Sequence, residues 1–580
     1  MIRNERGYAL LLVIFMMMLF VLLGVAILGA SLGGAARTET RENDVQSLHL
    51  AEKTLNEAVT NIVMKYDGKD DISLEELSDY MNELKNNANP LTGKNTSTEL
   101  SGANAALKDI TIVKGSNEQR YTLTLTSEAT VNGVKRKLVQ NVLIDSYPEF
   151  LQYAFGSEQD VIINGAAYGL GNIYAGHELL LDNKAKYMYN SKNLEQSTQY
   201  PKIDGGVFVS SARAIKYYDE VLADYESISM NDQNELQNLL GITYENINIK
   251  DSSKFISINV EESFLDKAAI AAGNGIGTRD SLKAVFNVHN VEPFINQLSS
   301  KYGVKRVAPR SEPALPDWDN ETEVNKYNTE LDLYNKYISI FNSKNSESII
   351  FDGNLTLDGV IYKQLLYGNE AKASDKWFIV NGDLIIDNLS TDELNIKANI
   401  LVTGNVNIRG KKIKVDSTIF CLGIGSSTPA TIVQDAEIKG IKENGKTKQL
   451  VLISKADILL NRFDAFTNFG EYAGGNIIQN RLDAFFYTDG EAELYGVGST
   501  LWLNGGFFAK GKLTINAVLG NVTEDIAGGK INFNTLQTNV SKLNSRFIID
   551  YNDDFFEDQY SGLPRVKQIS VMIGNRKLEK

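Results

Sequence analysis

The chain opens on its strongest hydrophobic signal. From Tyr8 to Ala30 there are 23 residues without a charge, and the next charged side chain is Arg37. At about 1.5 Å per residue, a helix of this length crosses a hydrocarbon core about 30 Å thick. Beyond it the apolar positions thin to a helical period. Val45, Leu48, Ala51, Leu55, Val59 and Ile62 recur at three- and four-residue spacing, with Glu42, Asp44, Glu52, Lys53 and Glu57 on other faces. This pattern predicts a helix half in a membrane and half packed on an outer domain; a simple juxtamembrane stalk gives the same periodicity. A short helix is predicted over Leu74–Lys85. From Gln119 to Asp145 the period falls to two, with Asn132-Gly133 between two β-rich runs, which is a hairpin signal.

After Pro148 the pattern becomes short strands with glycine corners, first at Ile162-Ile163-Asn164-Gly165 and Ile173-Tyr174-Ala175-Gly176. Helical stretches are then predicted near Ala212–Glu226, Glu261–Ala272, Val291–Tyr302 and Glu323–Phe341, with Pro309, Pro313 and Pro316 marking a linker. From Ile350 the strand pattern returns as a repeat. Gly353-Asn-Leu-Thr-Leu357 matches the stretches beginning at Gly382, Gly404, Gly490 and Gly511, and Gly382 and Gly404 lie 22 positions apart. A period near 20 with one alternating strand after a turn glycine predicts a β-solenoid. Positions two and four after the glycine are the inward ones, and longer gaps at Tyr362–Lys376 and Asn461–Asn480 are expected to leave it as loops. The last segment, with Phe547–Tyr551 and a strand near Ile569–Ile573, is expected to cap the stack, whose end would otherwise expose strand edges.

Arg3 and Arg6 precede the apolar run, so the positive-inside rule puts the N-terminus in the cytoplasm and the rest outside. The run exceeds the apolar core of about 7–15 residues in a signal peptide, although Gly34-Ala35-Ala36 imitates a cleavage site. A plain anchor explains the length and the flanks. A very short charged leader that ends in Gly7, with Tyr8 opening the apolar helix, explains more. It resembles a type IV prepilin. The resemblance is closest to the PilX-type N-terminal domain of minor pilins, carried by Arg6-Gly7-Tyr8-Ala9-Leu10 and Leu50-Ala51-Glu52-Lys53-Thr54-Leu55 over roughly residues 1–65. It implies cleavage between Gly7 and Tyr8 by a prepilin peptidase, methylation of the new N-terminus, and other pilins or pseudopilins as partners. Most major pilins carry a glutamate at the fifth mature position, where this chain has Leu12. That departure resembles the minor, tip-type subunits.

A net charge of −15 argues against nucleic acid as a main partner, because phosphate binding needs clustered cations. One cysteine, Cys421, excludes an internal disulfide, and its apolar neighbours place it in a core. His49, His177 and His289 lack ligand spacing. Extracellular β-helices often act on acidic polysaccharides, and the outward Glu491 and Glu493, with Asp489 close by, suit either a paired acid and base or a solvated charged face. No lysine or arginine sits among them in sequence, and the solvated face is the expected reading. Asp383, Asp387, Asp457 and Asp489 suit calcium at coil corners, but without a dense ligand pattern. Gly169-Leu170-Gly171 and Gly273-Asn-Gly-Ile-Gly277 lack the phosphate-loop spacing and read as turns. Tyr217, Tyr218, Tyr327, Tyr334 and Tyr337 are expected to pack helices rather than line a binding surface.

The expectation is therefore a non-enzymatic, cofactor-free and metal-free protein with an α+β pilin-like module followed by a mainly β, right-handed β-solenoid. Its segments are a leader (1–7), a transmembrane helix (8–36), the pilin-like module (37–148), the start of the solenoid (149–211), a helical insertion (212–346), solenoid repeats (347–545) and a capping segment (546–580). The expected location is the cytoplasmic membrane, in single pass, with the large domain outside or in a surface pilus. The alternative is a cell-surface protein that binds or degrades polysaccharide from a plain membrane anchor.

Overall fold

The computed structural model describes residues 6–66, 74–86, 91–92, 95–114, 120–146, 148–229, 233–252, 255–273, 276–367, 375–425, 429–443, 445–460, 481–525, 527–533, 539–552, 564, 566 and 569–579. The chain divides into two compact units, Met1–Tyr147 with Gln568–Lys580, and Pro148–Lys567.

In the first unit, helix α1 (Arg6–Tyr66) runs unbroken for 61 residues. Its most apolar window has a mean hydropathy of 3.2, and none of that window is buried. This part is long and apolar enough to cross a membrane. The second half buries Leu50, Ala51, Leu55, Ala58, Val59 and Ile62 against the sheet residues Leu123, Leu125, Val142 and Ile144. The buried face is turned slightly from the one predicted. Val45 is exposed and Leu48 half-buried, whereas Asn43, Ser47 and Thr54 are buried. Side-chain bonding explains the difference: Asn132 Nδ2 donates to Asn43 Oδ1 at 3.1 Å, and the Thr54 hydroxyl meets that of Thr96 at 2.8 Å. A polar side chain with its partner supplied is buried at little cost.

Helix α2 (Leu74–Lys85) presents Leu77, Tyr80, Met81 and Leu84 to the same core. Strands β1 (Ala103–Lys114), β2 (Arg120–Val131) and β3 (Val134–Asp145) follow, all antiparallel. The β2–β3 hairpin turns at Asn132 and Gly133, both with positive φ, as a two-residue loop of the favoured hand requires. The fourth strand of this sheet is Ser570–Glu579, antiparallel to β3. This segment is therefore no cap. Its alternation suits any sheet edge, and its partner lies more than 400 residues earlier, a pairing that local pattern cannot show.

The second unit is built on parallel pairing. Its strands form three ladders, and three successive strands of chain, one per ladder, make a rung. The first ladder takes strands from 305–307, 349–352, 377–381, 399–402, 419–421, 450–454, 484–488, 507–509, 155–157, 173–175, 207–209 and 247–249 in spatial order. In the second, Leu355, Leu384, Val406, Thr431, Ile458, Ala492, Leu513, Val161, Leu179 and Ile215 stack in register. All ten are buried. The five glycine-led stretches of the sequence fall at equivalent positions here. Thr431 and Ile458 belong to the same column but follow Pro429-Ala430 and Ala456-Asp457, which is why the repeat broke between Gly404 and Gly490.

The spatial order is permuted relative to the sequence. Phe155–Ser157, near the start of this unit, pairs with Leu501–Ala509, near its end. Phe547–Asp550, expected in the cap, lies in mid-stack between Leu501–Ala509 and Tyr168–Leu170 of the third ladder. The true ends are elsewhere. At one, α3 (Gln233–Leu240) packs on Lys202–Asp204 and puts Leu236, Leu239 and Leu240 into the core. At the other, Tyr337, Ile340 and Phe341 close the core beside Lys344–Asn345.

The expected insertion accordingly contains ladder strands as well as helices. Ala212–Glu226, predicted helical, holds strands Ile215–Asp219 and Asp224–Ser227, because Ile215 and Tyr217 pair with Leu179 and Leu181. Helices α4 (Val260–Ala271), α5 (Ile276–Lys283), α6 (Glu292–Ser300) and α7 (Glu321–Ile338) complete it. Of the two expected loops, Tyr362–Lys376 includes the ladder strand Gln364–Tyr367, and Asn461–Asn480 lies outside the described residues.

The outward side of the first ladder is apolar too. Ile350, Ile379, Leu401, Phe420, Ile453 and Phe508 point away from the central core and are all fully buried. Helix α4 lies across part of this face, against Trp377–Asn381 and Asn399–Val402. Strands buried on both faces read as continuous apolar runs, and that is the form of Trp377-Phe378-Ile379-Val380 and Leu450-Val451-Leu452-Ile453.

Candidate functional site

Two places carry the chemistry anticipated from the sequence: the start of α1 and the outer corner of the second ladder. Gly7 and Tyr8 lie in the first turns of α1, which begins at Arg6; their side chains are outside the described residues. From Leu10 to Phe20 the helix shows a sleeve of exposed leucine, methionine, valine, isoleucine and phenylalanine, with Leu12 among them.

At the corner, the residue that precedes each strand of the second ladder stacks on its counterpart in the next rung. The row runs Asn354, Asp383, Asn405, Ala430, Asp457, Glu491, Lys512, Asp160 and Glu178, each carbonyl after the first accepting the N–H of a residue in the preceding rung. Side chains repeat the pattern. Asn354 Oδ1 accepts from the N–H of Asp383, Asp383 Oδ1 from Asn405 at 2.7 Å, and Asp457 Oδ1 from Glu491 at 2.8 Å. Asp387 Oδ2 meets Arg409 Nε at 2.7 Å, and Asp489 accepts from the Tyr487 hydroxyl at 3.1 Å. Of the aspartates suited to calcium in the sequence, Asp383, Asp387 and Asp457 thus hold one rung to another, whereas Asp489 meets Tyr487 within its own rung.

The outward acids do not stand alone, contrary to their sequence surroundings. Lys512 Nζ lies 3.4 Å from Glu491 and Lys510 Nζ 3.8 Å from Asp489. Asn516 Nδ2 donates to Glu493 at 3.3 Å. Parallel stacking sets residues about one rung later in the chain directly alongside, a neighbour that a local reading misses. A shallow groove at this place is lined by Pro429, Asp457, Leu459, Glu491, Glu493 and Lys512, among others, with no aromatic ring among the described residues that line it.

Further along the row, His177 Nδ1 reaches Asp160 Oδ1 at 2.6 Å with Glu178 close enough to share a cation. Local sequence does not reveal this trio, since 17 positions separate the first two and the ladder register joins them. Its groups already have partners. Asp160 also accepts the Glu178 N–H at 3.1 Å, and Glu178 is paired with Lys216.

The remaining candidates disperse. Tyr337 is buried with its hydroxyl 2.6 Å from that of Tyr362, Tyr218 packs on Tyr225 within one hairpin, and Tyr327 packs edge-on against Trp318. Gly169 lies inside the strand Tyr168–Leu170, and part of Gly273–Gly277 is outside the described residues. Cys421 is fully buried, its thiol donating to the Gly404 carbonyl at 3.2 Å, and burial pushes its pKa up to about 11.

No family model matches the chain, and no curated protein matches it. Among solved structures, the competence-associated pilin ComZ from Thermus thermophilus is similar at 11% identity over 93% of this chain and 98% of that chain, with a TM-score of 0.27. At that score the functional reading rests on the chain's own geometry: a long, bare apolar helix that continues into a small α+β unit, followed by a large β-rich one.

Proposed function

We propose that the chain is a membrane-anchored pilin-type subunit, a minor or tip subunit of a type IV pilus or related pseudopilus. On this reading it carries a large β-solenoid outside the cell and presents it structurally rather than catalytically. The observation that carries the reading is α1 itself. One helix is bare and apolar through its first half and packs through its second on a four-stranded antiparallel sheet. That is the spine-and-head construction implied by the resemblance of Arg6-Gly7-Tyr8-Ala9-Leu10 to prepilins. The stacked parallel ladders of the second unit support the solenoid, since each rung advances the chain by one strand spacing of about 4.8 Å.

The mature N-terminus is then Tyr8, produced by a prepilin peptidase, with the preceding residues in the cytoplasm. Leu12 leaves no carboxylate to neutralise a neighbour's amine, which is harmless only for the first subunit of a filament; a carboxylate there would also be expensive in lipid. N-terminal sequencing of the membrane-extracted protein tests the reading. Tyr8 is the expected first residue, Gly7→Glu should leave an uncut precursor, and an intact Met1 in the wild type would sink it. Immunogold against the second unit should label filament ends. The groove at Glu491 and Glu493 favours the structural role over polysaccharide chemistry, because its acids are already paired, Glu491 with Lys512 and Glu493 with Asn516.

A further inference from the structure

The second unit is one stack assembled from two stretches of chain. Strands from 305 to 550 build one part and strands from 155 to 249 the other. They meet where Leu501–Ala509 pairs with Phe155–Ser157, Leu513–Ala517 with Val161–Gly165, and Phe547–Asp550 with Tyr168–Leu170. Rungs inside each stretch are joined covalently by the chain that runs from one to the next. At the junction no chain runs directly from one rung to the next; strand pairing, side-chain packing and single bonds such as Tyr551 Oη to the Leu151 carbonyl join the two rungs.

The chain that leaves the far end at Ile249 must return to Lys305 at the opposite end of the same ladder. Its path crosses the junction. The Phe255 ring stacks on Phe508, with centroids 5.3 Å apart and planes at 11°, and on Tyr174 at 4.7 Å. Those two rings belong to opposite sides of the junction. The Ile256 N–H donates to Glu149 Oε2 at 3.1 Å, just ahead of the first stretch, where Phe150 packs on Phe485 and Tyr487 of the second, and the Ser257 hydroxyl donates to Glu158 Oε2 at 2.8 Å on the first stretch. Glu261, four residues on, is ion-paired with Lys455 of the second stretch.

We propose that Phe255–Glu261 is a clip across this junction, and that the unit opens there, between its two stretches, when the clip is released. The physical reason is connectivity. Opening at either end must strip away α3 or the Tyr337–Phe341 cap, and opening within a stretch must unravel a covalently continuous rung. Opening at the junction breaks one rung interface and leaves the rungs on both sides intact. Sub-global openings of this kind occur along contiguous structural units. The inference does not depend on the pilin reading.

Hydrogen exchange on the full-length, detergent-solubilised protein, read by mass spectrometry, tests it. In the wild type, amides of 155–165 and 505–517 should exchange ahead of those of 377–408. Phe255→Ala should speed exchange at both junction segments by at least about tenfold, corresponding to about 1.4 kcal/mol, and leave 377–408 unchanged. Ser257→Ala, which removes a single hydrogen bond, should give the same pattern more weakly and covers the case in which the larger change prevents folding. Phe378→Ala removes a comparable ring from inside one stretch and should speed its own rung without singling out the junction. Equal acceleration of all strands by Phe255→Ala, or protection lost first at the two ends, would overturn the proposal.

Discussion

Ile408 offers a direct test of which side chains carry the stack. It is 1% exposed and stands in register between Ile386 and Val433. Replacing it by aspartate removes a buried aliphatic side chain, which alone costs about 2–5 kcal/mol. The new carboxylate has no partner in that column, and burying it ionised adds several kcal/mol more, so it takes up a proton instead. Its folded pKa is thereby raised above the ordinary value of about 3.9. The sign follows: the deficit is smallest below about pH 4, where the acid is neutral in both states, and grows as pH rises through the folded pKa. Thr514→Lys is the control. Thr514 lies on the outward side between Glu493 and Ile162, so a cation there meets an acid, and the change should stay within about 0.5 kcal/mol. Urea unfolding in detergent, followed by emission of Trp377 and Trp502 in the ladders, gives both midpoints across pH 4–8. Equal midpoint shifts for the two variants, or an Ile408→Asp deficit that ignores pH, would refute the assigned inward column.

Three further outcomes are expected. Arg546 is 1% exposed and donates to the carbonyls of Val497, Gly520 and Gly498, so Arg546→Met should strand those acceptors and lower the unfolding midpoint by an amount equivalent to about 2–4 kcal/mol. Gly165 has φ of 94°, and a Cβ there would lie 2.1 Å from the Ala517 carbonyl oxygen across the junction; Gly165→Ala should destabilise by at least about 1–3 kcal/mol from strain alone. Cys421 should resist iodoacetamide at pH 8 in the folded protein and react promptly in urea, because burial holds its thiol near a pKa of about 11; prompt labelling without urea would place it outside the core.

The sequence by itself determined the elements whose causes are local. The charge-free run from Tyr8 produced the bare half of α1, Asn132-Gly133 produced the hairpin, and Leu74–Lys85 and Glu261–Ala272 became helices close to their predicted limits. Alternation after a glycine correctly sorted Leu384 and Ile386, or Leu513 and Ile515, to the inward side, because strand parity depends only on neighbouring residues. Tertiary structure decided everything that depends on which rung meets which. Parallel pairing carries no turn signature, so nothing in Phe155–Ser157 announces Leu501–Ala509 as its partner. The last strand joins β3 rather than a cap for the same reason. The carboxylates of the outer corner changed meaning most, since Glu491 acquires Lys512 and Asp160 acquires His177 only once the rungs are stacked. The double-sided apolar runs of the first ladder were visible in the sequence as unbroken hydrophobic stretches. Only the fold shows what they answer to: a returning strap of chain that must lie on that face, because the two ends it connects are at opposite limits of one ladder.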